Sequence, residues 1–386
     1  MRMETNRHRP ARPKGILCSI LAVAVFSQQP ISAAPKPILK QVEVFRAGEA
    51  GYHTFRIPAL VTTKKGTLLA FCEGRKNSRS DTGDIDLVLK RSFDRGKTWG
   101  KLQLIADHAQ DTIGNPTPVV DRDTGTIWLP LTKNLGNLTE KQIQAAEGIR
   151  TVWMTKSTDD GATWSPTVEI SRDTRDPSWT WYATGPGNGI QLRNGRLLIP
   201  CCHSPKGTRM YRAHVIYSDD HGKSWRLGGT VGDNADESAV VETSHGSLLI
   251  NMRSALTRNR LVSRSTDQGA SWTPIESDAT LIEPPCQASI LRFTGGGRAK
   301  SRILFSNPAD STKRVKLTVR ASYDEGKTWP VSKLLFCEAP SAYSALAILR
   351  DRTVGCLYET GEQIPYDMIR FAQFNLEWLT DGKDHL

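Results

Sequence analysis

The sequence predicts an all-β fold, a six-bladed β-propeller of four-stranded antiparallel blades, on three observations. An eight-residue pattern, Ser-x-Asp-x-Gly-x-x-Trp, occurs five times, at 92–99, 157–164, 218–225, 265–272 and 322–329, with starts 65, 61, 47 and 57 residues apart. That period suits a repeated supersecondary unit, and the span from residue 41 to the C-terminus holds about six of them. Stretches that alternate apolar and polar residues precede the pattern, as at 85–91, 152–155 and 317–320, which is the mark of half-buried strands. Further upstream, Gly66, Gly125, Gly195 and Gly246 each open a short apolar run, reading as a tight turn into a buried strand. Only 139–147 looks helical.

Taken in chain order, the first 34 residues come before any repeat. They carry a long basic segment, the apolar run 15–26 and small residues around Ala33, the signature of an export signal. The apolar run is too short to span a bilayer comfortably, so a cleaved signal is expected, with a periplasmic or secreted product and no lasting membrane span. Residues 35–386 then form one propeller domain, with 41–45 and 369–378 expected to complete a single shared blade. A ring needs such a closure. The composition, 38% hydrophobic and 24% charged over 386 residues, excludes a disordered chain and a disulfide-held miniprotein.

The net charge is +11, falling to about +7 without the leader, which favours an anionic ligand. No run of basic residues interleaved with aromatics occurs, so nucleic acid is not expected as a partner. Six cysteines follow the leader, Cys72, Cys201, Cys202, Cys286, Cys337 and Cys356, without zinc or redox spacing; buried free thiols are expected. Neither a His-Glu-x-x-His helix nor an EF-hand loop is present, and no metal or other cofactor is called for.

Each repeated turn has a legible chemistry. The Ser and Asp side chains accept bonds from backbone amides, Gly supplies a positive φ, and Trp is expected to anchor the turn against its own sheet. The repeated aspartates are therefore structural.

These five turns resemble the Asp boxes of sialidases, and 55–58 reads Phe-Arg-Ile-Pro, a signature of that family ahead of its first box. The resemblance runs from about residue 41 to the C-terminus and implies a retaining exo-α-sialidase acting on sialylated glycoproteins, glycolipids or oligosaccharides. It further implies that Arg56, Arg253 and Arg314 grip the sialic acid carboxylate, a task suited to guanidinium forks that bind carboxylates bidentately and stay charged. Lys313, Lys316 and Arg320 are neighbours of the third arginine.

By the same resemblance an acid/base aspartate lies in 75–86, where Asp81, Asp84 and Asp86 are available and Asp81 fits best, with Arg75 near the substrate ring. Tyr343 is the implied nucleophile and Glu237 its partner, with Glu242 as a rival base. A phenol avoids the repulsion that an Asp or Glu would meet at an anomeric carbon bearing a carboxylate, and it needs a carboxylate to take its proton. Glu359 would orient Arg56, while Asn115 and the pair Trp181 and Tyr182 would line the acyl and glycerol side. Two other readings stand beside this one: a non-catalytic glycan-binding propeller, and a trans-sialidase or hydrolase of a related nonulosonic acid.

Overall fold

The computed structural model describes Met1, Met3, Glu4 and residues 36–386 apart from 297–298 and 336–337. The leader motif and Cys337 lie outside the described residues. Strand pairing yields five sheets, of which one has nine strands. That sheet is two antiparallel units joined by a single parallel contact between Ile85 and Thr112, so the strands sort into six units. Their first strands are Thr54–Thr62; Thr112–Gly114 with Val119–Val120; Trp179–Thr184 with Ile190–Gln191; Ala235–Glu242; Ser289–Gly296; and Ser341–Ile348.

The sixth unit closes the ring. Leu39–Arg46 pairs antiparallel with Met368–Phe374, from Leu39 opposite Phe374 to Arg46 opposite Met368. The expected strand 369–378 is shorter, because the Asn375 side chain accepts the Trp378 N–H and caps a helical turn, Leu376–Leu379. The helix foreseen at 139–147 is Glu140–Gln144, held by a capping box between Thr139 and Gln142. A further turn of helix, Ser171–Thr174, had no signal in the sequence.

The five repeated turns fold as their side chains dictate. The serine hydroxyl accepts the glycine N–H at 2.7–2.9 Å, and aspartate Oδ1 accepts the amide four residues on at 2.9 Å. The glycines take φ of 76–90°, and the residue before each is also left-handed, at 60–67°. Trp329 packs on Phe305 of its own unit as expected, but three of the other tryptophans reach past their own sheets. Trp99 packs edge-on to Phe371, Trp164 to Phe71 and Trp225 to Trp128, each in the preceding unit. The turns are thus clamps between neighbours, and the apolar clusters that form the core lie between successive units.

Two hollows lie along the axis. One, about 380 Å³, is lined by the far ends of all six first strands, including Thr62, Val120, Gln191, Glu242, Arg292 and Ile348. The other lies at the opposite strand ends and is described below. The five described cysteines are buried and free.

Two stability measurements test this account. A Cβ at Gly222 would overlap the Trp128 ring at a left-handed backbone position. Gly222→Ala should therefore cost about 3 kcal/mol in denaturant unfolding. His203 and His214 are buried, with their Nδ1 atoms 3.0 Å apart and the His214 Nε2 2.9 Å from the Tyr182 hydroxyl. Burial holds the His203 pKa down at about 3 and pushes His214 well below its usual value. The unfolded chain takes up these protons first, so stability should fall as pH drops from about 6.5 towards 3, by about 3 kcal/mol at pH 4 from His203 alone. Thermal unfolding of the His203→Gln, His214→Gln variant should show a smaller loss between pH 7 and pH 4 than wild type.

Candidate active site

Local backbone irregularity builds the site. In the first strand of the fourth unit, register shifts between Ala235 and Ser238, so that Asp236 and Glu237 together face one residue, Arg253. In the sixth unit, Ala342 and Tyr343 together face Glu359. In the first unit the slip follows Arg56, and Ile57 takes φ of 62°, a strained value for a β-branched residue. Such bulges re-aim side chains at strand ends. Here they turn three first strands towards one pocket of about 170 Å³, lined by five arginines and five carboxylates.

Glu359 is the anchor. It is fully buried and accepts Arg56 Nε at 3.1 Å, Arg56 Nη2 at 3.2 Å, the Ile57 N–H at 2.8 Å and the Tyr343 N–H at 3.1 Å. The fork of Arg56 is thus fixed, and its Nη1 reaches Asp81 at 3.3 Å. The Arg56 guanidinium also lies 5.1 Å from the Tyr343 ring centre and 4.3 Å from that of Tyr366.

The Tyr343 hydroxyl donates to Glu237 Oε1, and Arg253 Nη1 lies 2.9 Å from Glu237 Oε2 and 3.5 Å from the hydroxyl. Arg314 stands on the other side, 5.5 Å from the Tyr343 ring centre, held by the Pro285 carbonyl at 2.8 Å and the Tyr366 hydroxyl at 3.0 Å. Tyr343 is 5% exposed. Burial pushes its phenol well above the usual value and Glu237 adds to this, while Arg253, Arg314 and Arg56 pull the other way. The phenol is therefore neutral at rest.

Asp81 overhangs the pocket with its side chain 75% exposed, its carboxylate 2.8 Å from Arg75 Nη1. Withdrawal from water raises its pKa, but Arg75 and Arg56 outweigh this and hold it below the usual carboxylate value. Glu73 fixes Arg75 through Nε at 3.0 Å and Nη2 at 2.6 Å, and accepts the Asn115 N–H at 3.0 Å.

The structure thus brings together Arg56, Arg75, Asp81, Asn115, Glu237, Arg253, Arg314 and Tyr343 around one pocket, with Glu359 behind them. Tyr182 is corrected. It is fully buried in the cluster with Trp179, Ile199 and Trp225, and strand alternation sends Trp181 into the pocket instead. Asp84 and Asp86 pair with Lys76, and Glu242 lies at the far end of its strand beside the other hollow. Of the neighbours of Arg314, Lys316 faces Asp310 and Glu338, while Arg320 binds Asn307.

Sequence reasoning missed Glu73, Glu140, Arg150, Tyr211, Asp236 and Tyr366. Glu140, in the capped helix, accepts from the Tyr211 hydroxyl. Asp236 next to Glu237 would point away in a regular strand; only the bulge puts both in the pocket. Burial raises the Asp236 pKa, with Arg253 opposing.

With this geometry in hand, likeness to known proteins is informative. The BNR repeat-like domain family matches residues 66–356. An exo-alpha-sialidase of Aspergillus fumigatus is 34% identical over 369 residues, 87% of each chain. The chain belongs to the sialidase family. A sialidase of Micromonospora viridifaciens is 37% identical over 96% of this chain, and one of Bacteroides fragilis 35% identical over 83%. The chain spans 59% and 62% of the length of those two bacterial relatives. Among solved structures, the Hadza microbial sialidase Hz136 has a TM-score of 0.81 at 33% identity, covering 88% of this chain and 69% of that one. A Trypanosoma rangeli sialidase, solved as a covalent intermediate with 2,3-difluorosialic acid, shares the fold at TM-score 0.72 and 21% identity, covering 87% of this chain and 58% of that one.

In this sialidase-family site Glu359 faces a buried cation and two amides, so its loss strands all three. Glu359→Ala should cost about 3–5 kcal/mol in thermal or denaturant unfolding, and Glu359→Gln, which keeps one acceptor, should cost less.

Proposed function

We propose that this chain is a retaining exo-α-sialidase that releases terminal sialic acid from sialylated glycans through a tyrosyl intermediate. The observation that carries the reading is the Tyr343 phenol, bonded to Glu237 and enclosed by Arg56, Arg253 and Arg314. The three guanidinium groups seat the substrate carboxylate beside the phenol, where an anionic nucleophile would be repelled. Asp81 protonates the glycosidic oxygen as the bond to the anomeric carbon breaks. The Tyr343 oxygen forms a bond to that carbon while its proton passes to Glu237.

In the second half, Asp81, now a carboxylate, takes a proton from water. The water oxygen attacks the anomeric carbon, the tyrosyl bond breaks, and Glu237 returns the proton to the phenol. Two displacements on one carbon give net retention. Binding of the substrate carboxylate between the arginines dilutes their hold on Asp81, and the sugar shields it from water; both changes raise its pKa towards that of a working acid. The same reading extends to location: the basic and apolar pattern of residues 1–34 supports export to the periplasm or beyond.

Hydrolysis of an aryl sialoside and of a sialyl-oligosaccharide by wild type, Tyr343→Phe and Asp81→Ala tests the assignment. Tyr343→Phe should lower kcat by about three orders of magnitude or more on both substrates. Asp81→Ala should lose about 10²–10⁴-fold on the oligosaccharide and far less on an aryl glycoside with a good leaving group. Equal losses on both would remove Asp81 from the role. Wild type that binds sialylated glycans and releases nothing would make this a binding propeller.

A further inference from the structure

Of the five pocket arginines, Arg56, Arg75 and Arg253 each face a carboxylate, and Arg314 is held by a carbonyl and a phenol. Arg150 is different. It is 9% exposed and forms no ion pair among the described residues. Its Nη2 donates to Asn115 Oδ1 at 2.7 Å, its guanidinium lies 5.6 Å from the Trp181 ring centre, and its buried Nε meets no hydrogen-bond partner. A buried guanidinium with an unmet donor is costly, and such a group persists where a ligand completes it.

The neighbours sharpen the chemistry. Asn115 Oδ1 also accepts from the Thr132 hydroxyl at 3.4 Å, so the network turns the Asn115 amide nitrogen away from these donors. Asn115 itself stands at φ of 57°, pinned through its N–H to Glu73. Beside them Glu140 also lines the pocket, its carboxylate bonded by the Tyr211 hydroxyl, so that the donors left unmet on this wall are those of Arg150 and call for an acceptor. The wall belongs to the second unit, with Trp181 from the third, whereas Arg314 belongs to the fifth, across the six-unit ring. A sugar with its carboxylate at Arg314 would direct its opposite ring edge to Arg150. In a nonulosonic acid that edge carries the C4 hydroxyl and the C5 substituent.

We propose that Arg150, braced by Asn115, is a specificity-determining residue that donates to an oxygen on the ring edge opposite the substrate carboxylate, at C4 or on the C5 substituent. The inference rests on the sialidase reading. Substrates that present an oxygen there satisfy the guanidinium, and those that do not leave it stranded.

The test is a substrate–variant cycle. Aryl α-glycosides of N-acetylneuraminic acid, its 4-deoxy analogue and an analogue with hydrogen in place of the C5 substituent are hydrolysed by wild type, Arg150→Met and Arg150→Lys. Thermal unfolding checks that each variant is folded. Wild type should lose about 10–100-fold in kcat/KM on one of the two analogues, the worth of a bond to a charged donor. Arg150→Met should lose a similar factor on the parent glycoside and little more on that analogue, with Arg150→Lys between the two. Losses that simply multiply on both analogues, or a folded Arg150→Met variant with the wild-type ranking, would overturn the proposal. Wild type inactive on the parent glycoside would instead bring down the sialidase reading, and this inference with it.

Discussion

The buried carboxylate of Glu359 joins the two strands on which the site depends. It neutralises Arg56 through a two-pronged bond, holds the N–H of the strained Ile57, and accepts the N–H of Tyr343. A bare carboxylate so deep would be untenable, and so would the arginine. Each makes the other possible, and the left-handed backbone at Ile57 is held by the same contact. Arg56 and the Tyr343 phenol are therefore set relative to each other by one fully buried side chain.

The electrostatics follow from that placement. A phenol in apolar surroundings would stay protonated and inert, while one among cations alone would drift towards the phenolate. Tyr343 has both influences, with Glu237 bonded to its hydroxyl and Arg253 holding Glu237 in turn. The proton thus has a prepared acceptor whose own charge is already shared. Asp81 sits apart on an exposed loop, drawn to Arg75 and Arg56.

Fastening and chemistry occupy opposite ends of the molecule. The five Asp-box turns lock the first five units, each against the one before it in the ring, through tryptophan and glycine contacts, far from the pocket. Because the clamps fix the units from outside, the inner strand ends are free to carry bulges. Three of these supply Arg56, Glu237 and Tyr343, and two of them face Arg253 and Glu359 across one step of the ladder.

Repeat spacing and strand alternation determined the architecture from sequence alone, since each turn's Ser, Asp and Gly make bonds within eight residues and need no distant partner. Closure by the two chain ends was legible for a similar reason: an alternating segment at each end has an edge to satisfy. The resemblance picked out most of the pocket, including Arg314 among several basic neighbours and Asp81 among three aspartates. What only the tertiary structure decided were features of period and proximity. Alternation places Trp181, not Tyr182, in the pocket; a bulge places Asp236 beside Glu237; and Arg150, Tyr211 and Tyr366 arrive from loops whose sequence bears no mark of their neighbours. A bulge changes facing without changing composition, and a contact across the ring joins residues that share no local pattern, so neither can be read along the chain.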